Sequence, residues 1–383
     1  FEEALAAGTI EYIDNALIER YYAAVMAQAL RPELGKTAGL RLVYTPLNGS
    51  GLVPVMTVLK RMGHTDITVV PEQEKPDGDF PTCPYPNPEI LEAMQLGLNL
   101  CEKLGADLLL ATDPDSDRVG TAVLQNGAPR LISGNEMGVL LLDYICRTRL
   151  ELCKMPENPV AVRSIVSTTM SDAVAAHYGV EMRQVLTGFK YIGEQIAHLE
   201  AEGHPERFLF GFEESYGYLS GGYVRDKDAV VASMLICEMA AWYKGQGKNL
   251  GEALDDLYAQ YGYYFNKVDS YTFPGSDGME KMAVLMQRLR TELPFVIGSR
   301  TVTGHTDYET GLRYEDGEGK TPTGLPAADV MEFRFGKEGS LVARPSGTEP
   351  KLKFYYSLRA SDRTAAEAAY GEIKASVERW LGL

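Results

Sequence analysis

The chain has 383 residues, 45% hydrophobic and 23% charged, with 38 Gly and 20 Pro, which is material for two or three folded domains and excludes a disordered, collagen-like or disulfide-stapled protein. With 37 basic residues against 53 acidic ones, the net charge of −16 repels phosphate backbones and anionic lipid heads, so neither nucleic acid nor membrane is expected as a partner. Five scattered cysteines (Cys83, Cys101, Cys146, Cys153, Cys237), none in a CxxC pair, and an uncharged stretch from Leu42 to Leu59 broken by Pro46, Pro54, Gly49 and Gly51 predict a cytoplasmic protein without a membrane span.

The chain starts at Phe1 with no signal-type region after it, so it is expected to begin inside a longer polypeptide. From Gly8 to Leu30, apolar residues at three- to five-residue steps (Ile10, Ile13, Leu17, Tyr21, Val25, Leu30) predict a helix ending at Pro32 and Gly35. A strand at Leu40–Tyr44, the turn TPLNGSG, a helix at Val53–Met62 and a strand at Ile67–Val70 follow. The pattern recurs with a strand-like run Leu104–Thr112, a polar loop, Val119–Leu124 and an apolar helix Met137–Cys146; this alternation predicts parallel βαβ construction. After a polar linker at Lys154–Pro159 come a strand at Val160–Val166, a helix at Ser171–Tyr178, a strand at Phe208–Gly211 and an apolar helix at Ala229–Trp242, closing near Gly262. Short strands and turns then lead to a terminal helix, Thr364–Leu381. The reading is an N-terminal helical link (1–35), an α/β domain (36–153), a second α/β domain (154–261) and a smaller α+β domain (262–383).

Three stretches carry chemistry. In LLLATDPDSDRVG an apolar run delivers Asp113, Asp115 and Asp117 at alternate positions beside Arg118. Carboxylates so close repel unless a cation gathers them, and oxygen-only ligands suit Mg²⁺. An EF-hand is excluded, because Arg118 stands where the turn glycine belongs and Leu124 where the bidentate Glu belongs. In RPSGTEPKLKFY, Arg344, Ser346, Gly347, Thr348 and Lys353 bring a guanidinium, two hydroxyls, a permissive backbone and an ammonium together, a set that wraps a phosphate. In GFEESYGYLSGGYVRDKDA, Glu213 and Glu214 precede Ser215 and Tyr216, a combination suited to sugar hydroxyls. Lys190 follows a glycine turn in TGFKYIG. TPLNGSG has neither the dinucleotide-binding spacing nor the lysine of a nucleotide P-loop, and His64, His177, His198, His204 and His305 show no metal spacing.

In this order, TPLNGSG, DPDSDR, TGFK, GFEESYGY with RDKDA, and RPSGTEPK resemble the α-D-phosphohexomutases, especially the bacterial phosphoglucomutase branch, over nearly the whole chain. The resemblance implies two related three-layer α/β/α domains and a C-terminal phosphate-binding domain, the last three of the family's four. It implies Mg²⁺ on Asp113, Asp115 and Asp117, with Arg118 against the transferring phosphoryl group. It assigns sugar recognition to Glu213 and Ser215, and the non-reacting phosphate to Arg344, Ser346, Gly347 and Thr348. Lys190 becomes the candidate for proton transfer or charge stabilisation at the reacting hydroxyl. The two glutamates before Ser215 favour glucose phosphates, so glucose 1-phosphate, glucose 6-phosphate and glucose 1,6-bisphosphate are the implied ligands, with mannose phosphates as the alternative. The family's phosphoserine loop, of Ser-His-Asn-Pro type, has no counterpart in these residues, so the implied protein is a fragment that lacks turnover alone. Two rivals are a haloacid-dehalogenase-like phosphatase using Asp113 or Asp115 as nucleophile, and a non-catalytic sugar-phosphate binder.

Overall fold

The computed structural model describes every residue except Ser276, Glu318, Gly347 and Thr348. Its first sheet has strands in the order Ile67–Val69, Leu42–Thr45, Leu108–Thr112, Val119–Gln125, Ala128–Ile132. The first three run parallel, with Leu42 opposite Ile67 on one side and Leu108 on the other. Leu42–Thr45 and Leu108–Thr112 are buried along their whole length, as parallel strands covered on both faces require. The last two strands are antiparallel, with Leu109 opposite Ala122 and Leu124 opposite Pro129. Here the expected parallel βαβ construction holds for three strands and gives way after Asp113 for a geometric reason. The loop 113–118 is too short for a parallel crossover, which takes about a dozen residues or more, so the chain returns as a hairpin.

The second sheet repeats the device. Glu181–Val185, Val160–Ser164 and Phe208–Glu213 lie parallel in that order, and Gly217–Leu219 pairs antiparallel with Phe208–Glu213 after a tight turn. In both sheets, therefore, a buried strand ends in a short loop at its carboxyl edge, where α/β proteins place ligands.

The opening helix is shorter than its apolar spacing predicts, Asn15–Met26, because Asp14 caps it by accepting the Leu17 N–H at 2.7 Å. A separate short helix, Glu2–Ala6, precedes it, and Ile10, Tyr12 and Ile13 between them are exposed. Helix Gly134–Glu151 starts at a Ser133/Glu136 capping box and packs on strand Phe208–Glu213 of the second sheet. Helix Ala229–Lys244, capped by Asp228 and buried nearly all round, packs on helix Leu52–Arg61 and strand Leu108–Thr112 of the first unit as well as on strand Gly217–Leu219 of the second. Through these two helices one apolar cluster runs from Tyr22 to Leu257 across both α/β units.

The C-terminal part is an antiparallel sheet in the order Tyr263–Thr272, Lys351–Ala360, Gly339–Pro345, Met331–Arg334, Gly304–Asp307, Leu312–Glu315, Gly319–Pro322. Helices Gly278–Thr291 and Arg363–Leu381 enclose a separate core with Phe333, Phe354 and Tyr356. A small seam, Ile165, Val166 and Leu186 against Tyr308, Val330, Val342 and Tyr355, joins this sheet to the second α/β unit. Among the described residues no helix is long and apolar enough to cross a membrane. All five cysteines are free, and only Cys153 is exposed.

Candidate active-site cleft

Asp113 ends strand Leu108–Thr112, and the loop after it coils around its carboxylate. Oδ1 of Asp113 accepts the N–H groups of Asp117 at 3.0 Å and Arg118 at 2.9 Å, while its carbonyl accepts the Ser116 N–H at 3.0 Å. Ser116 takes the left-handed conformation (φ 59°) that this tight coil needs. TPLNGSG, which has no nucleotide-binding spacing, proves to be the buttress of this loop. The Ser50 N–H and hydroxyl both donate to the Pro114 carbonyl, at 2.8 and 3.0 Å. Gly51 is required there, since a Cβ would sit 2.5 Å from Thr112 Oγ1 and 2.7 Å from the Tyr44 hydroxyl.

One carboxylate oxygen from each of Asp113, Asp115 and Asp117 lies within 4.8 Å of the others. Burial pushes Asp113 up to about 7; the N–H bonds of the loop oppose this, and the charges of Asp117 and Asp115 add to it. Such a trio, all oxygen and strained toward protonation when alone, fits a hard divalent cation, whose charge reverses that strain. Two cations already border the trio. Arg118 Nε lies 3.8 Å from Asp113 and 3.7 Å from Asp117, and Lys227 Nζ lies 2.5 Å from Asp117.

The glutamate loop is tied to the aspartate loop through the backbone. The Val119 N–H donates to the Tyr216 carbonyl at 3.1 Å, Arg118 bridges to Gly217, and the Ala229 N–H donates to the Ser116 carbonyl at 3.1 Å. Glu213 is buried, and its Oε1 accepts the Gly188 N–H at 2.7 Å, which draws the TGFK turn to the same edge. Burial raises the Glu213 carboxyl, while Gly188, Lys227 and Arg118 hold it down. Glu214 accepts the Ser164 hydroxyl at 3.1 Å and is pushed up to about 7 by burial and by the charge of Glu213. Ser215 is half-buried in the turn between them and Tyr216. Lys190 is exposed in the first turn of helix Phe189–Ala201, its ammonium 4.8 Å from the Tyr191 ring.

Across the cleft, Arg344 and Lys353 are directly paired on neighbouring antiparallel strands, and the Ser346 N–H donates to the Lys351 carbonyl at 2.7 Å to close the turn. Gly347 and Thr348 lie outside the described residues. Tyr355, on the same strand face as Lys353, lines a pocket of about 310 Å³ with Glu89, Glu214 and Tyr216 on the α/β side and Asn266 and Lys267 on its own. Burial pushes the Tyr355 hydroxyl up to about 12, the Glu214 charge adds to this, and Arg344 counters it. Glu89, which carries no motif, stands where the two sides meet. It lies 3.7 Å from Arg118, and burial raises its carboxyl against the pull of Arg118 and Lys353. Glu89 and Arg118 of the α/β side thus stand near Lys353, and Glu214 and Tyr216 share a pocket with Tyr355 of the C-terminal sheet.

Three family models match in the same order: phosphoglucomutase/phosphomannomutase α/β/α domain II over residues 19–127, α/β/α domain III over 133–261, and the C-terminal domain over 313–373. The chain belongs to the phosphoglucomutase/phosphomannomutase family. It is 38% identical over 325 residues to the phosphoglucomutase of Staphylococcus haemolyticus, an alignment covering 84% of this chain and 58% of that one. To the phosphoglucomutase of Staphylococcus aureus strain RF122 it is 36% identical over 322 residues, covering 84% and 57%. The chain thus spans less than two thirds of these relatives. Among solved structures, Paramecium parafusin, a phosphoglucomutase in its open form, superposes with a TM-score of 0.67 at 17% identity, covering 95% of this chain and 63% of that one. A phosphoglucomutase/phosphomannomutase family protein from Burkholderia thailandensis gives 0.62 at 17% identity, covering 93% and 64%. Both share the fold.

Proposed function

We propose that residues 1–383 form the metal-, sugar- and phosphate-gripping part of a phosphoglucomutase that interconverts glucose 1-phosphate and glucose 6-phosphate through glucose 1,6-bisphosphate. Asp113, Asp115 and Asp117 would hold Mg²⁺, which when bound offsets charge on the transferring phosphoryl group. Arg118, held beside them, faces the same oxygens, and Glu213 with Ser215 exchanges hydrogen bonds with the sugar hydroxyls. Arg344 and Ser346, together with Gly347 and Thr348 of the motif, grip the phosphate that is not reacting. Lys190 is assigned the proton at the reacting hydroxyl, supported by the bond that ties its turn to Glu213. Each half-reaction moves one phosphoryl between a serine oxygen and a sugar hydroxyl, so the sugar must bind in both orientations, and a cleft with a metal loop on one wall and a phosphate loop on the other supports that exchange.

The observation that carries this reading is the pocket lined by Glu89, Glu214 and Tyr216 from the α/β side and by Lys267 and Tyr355 from the C-terminal sheet, with Arg118 3.7 Å from Glu89. The phosphoserine of the resemblance is not among these residues, so the chain by itself is expected to bind but not turn over. Phosphorus NMR of the purified chain with glucose 1-phosphate, Mg²⁺ and glucose 1,6-bisphosphate tests this. Interconversion at ordinary enzyme rates, about 1–1,000 per second, would show that the chain needs no further donor. A phosphoenzyme trapped on Asp113 would favour a phosphatase instead.

A further inference from the structure

A second crevice, of about 360 Å³, lies at the junction between the second α/β unit and the C-terminal sheet, away from the aspartate loop. Among the described residues that line it, five are cationic (Arg163, Arg313, Arg334, Lys337 and Arg359) and two are carboxylates, Asp172 and Glu332. On a chain of net charge −16, such a local surplus of positive charge needs a cause. The carboxylates do not cancel it. Asp172 is engaged by Arg163 through two bonds of 2.7 Å, and Glu332 by Arg334, Thr306 and Tyr308 at 3.1–3.2 Å.

Arg313, Lys337 and Arg359 have capacity to spare, whereas the terminal nitrogens of Arg334 are taken up by Glu332 and by Glu315 at 2.8 Å. The Nε atoms of Arg313 and Arg334 are buried without a hydrogen-bond partner, a condition that costs free energy until an acceptor arrives. Lys337 is exposed at the rim, and Arg359 spends one N–H on the Tyr261 carbonyl at 2.9 Å while its guanidinium lies over the Tyr264 ring. Guanidinium forks and an ammonium around a small polar cavity select a phosphate rather than a single carboxylate, because several oxygens must be met at once.

We propose that this crevice binds a small phosphate-bearing anion at a site separate from the sugar-phosphate cleft. Strand Lys351–Ala360 shows the separation: Lys353, Tyr355, Ser357 and Arg359 share one face, Tyr355 lining the cleft pocket and Arg359 the second crevice. Four residues of strand set them about 13 Å apart. Between them runs a narrow contact, Ser357 to Thr169 at 3.5 Å and Asn266 to Thr168 at 3.1 Å. The anion therefore sits between the two bodies on the other side of their contact from the cleft.

The test is calorimetric titration of inorganic pyrophosphate into the full chain in EDTA, which removes metal-bridged binding at the aspartates. The expected result, read in the Arg344→Gln chain so that the phosphate loop of the cleft is disabled, is one site, weakened about tenfold or more by adding the pair Arg313→Gln and Lys337→Gln and weakened in part by adding Lys337→Gln alone at its exposed position. Absence of binding in the Arg344→Gln chain, or binding that the crevice variants leave unchanged, would overturn the proposal.

Discussion

The two α/β units and the C-terminal sheet are built to different degrees of independence. The units exchange helices in part, since Gly134–Glu151 packs on the second sheet and Ala229–Lys244 reaches the first while also packing on its own, and so they share one core. The C-terminal sheet closes its own core around Phe333 and Phe354 and touches the rest through the small seam near Tyr355 and a few polar contacts, such as Asn266 to Thr168 and Arg359 to Tyr261. The aspartate and glutamate loops, cross-linked by backbone bonds at the edge of the shared core, are therefore one preorganised surface. Arg344 stands on the second body.

The sharpest way to break this comparison is to damage one core and watch the other. Phe333→Ala is expected to cost about 3–5 kcal/mol in the C-terminal core and to split chemical denaturation into two transitions, leaving divalent-metal affinity within about twofold. Loss of metal affinity in that variant would mean that the bodies are not independent. Next in size, Asp115→Ala should weaken Mg²⁺ binding, read by calorimetry, on the order of 100-fold, without moving the C-terminal transition. Gly134→Ala places a Cβ 2.0 Å from the Glu214 carbonyl, where helix and glutamate loop touch. It should destabilise both α/β units together by about 1–3 kcal/mol, and melting of only one of them would refute the shared core.

Much of this division is legible in residues that act locally. The buried runs Leu108–Thr112 and Phe208–Glu213 announce their strands by unbroken apolar character, and the three aspartates carry their own spacing. What escapes is whatever depends on a distant partner. Glu89 is a single acid in a proline-rich loop until Arg118 and Lys353 reach it, and Lys227 is one of four charges in a row until it meets Asp117. The helix exchange is equally silent, since an apolar helix shows which face is buried but not which sheet buries it. The antiparallel return after Asp113 is encoded in the shortness of loop 113–118, a signal that the βαβ alternation around it masks.

A pH-dependent effect concerns Glu214. Its carboxyl is raised from an ordinary value near 4.5 to about 7 in the folded chain, so the folded state holds the proton more tightly. The stability this supplies is complete below pH 4.5 and drains away as pH rises toward 7, by up to about 1.4 kcal/mol per pH unit. Glu214→Gln, which cannot ionise, should match the parent at pH 4.5 and melt at a higher temperature at pH 8. Parallel melting curves across that range would remove Glu214 from the buried wall of the cleft.

The central claim is that both bodies close on one ligand. Calorimetric titration of glucose 1,6-bisphosphate into the chain with Mg²⁺ measures it directly, using Asp115→Ala on one wall and Arg344→Ala on the other. The account predicts a single site weakened about tenfold or more by each substitution; binding that survives either one unchanged would contradict it.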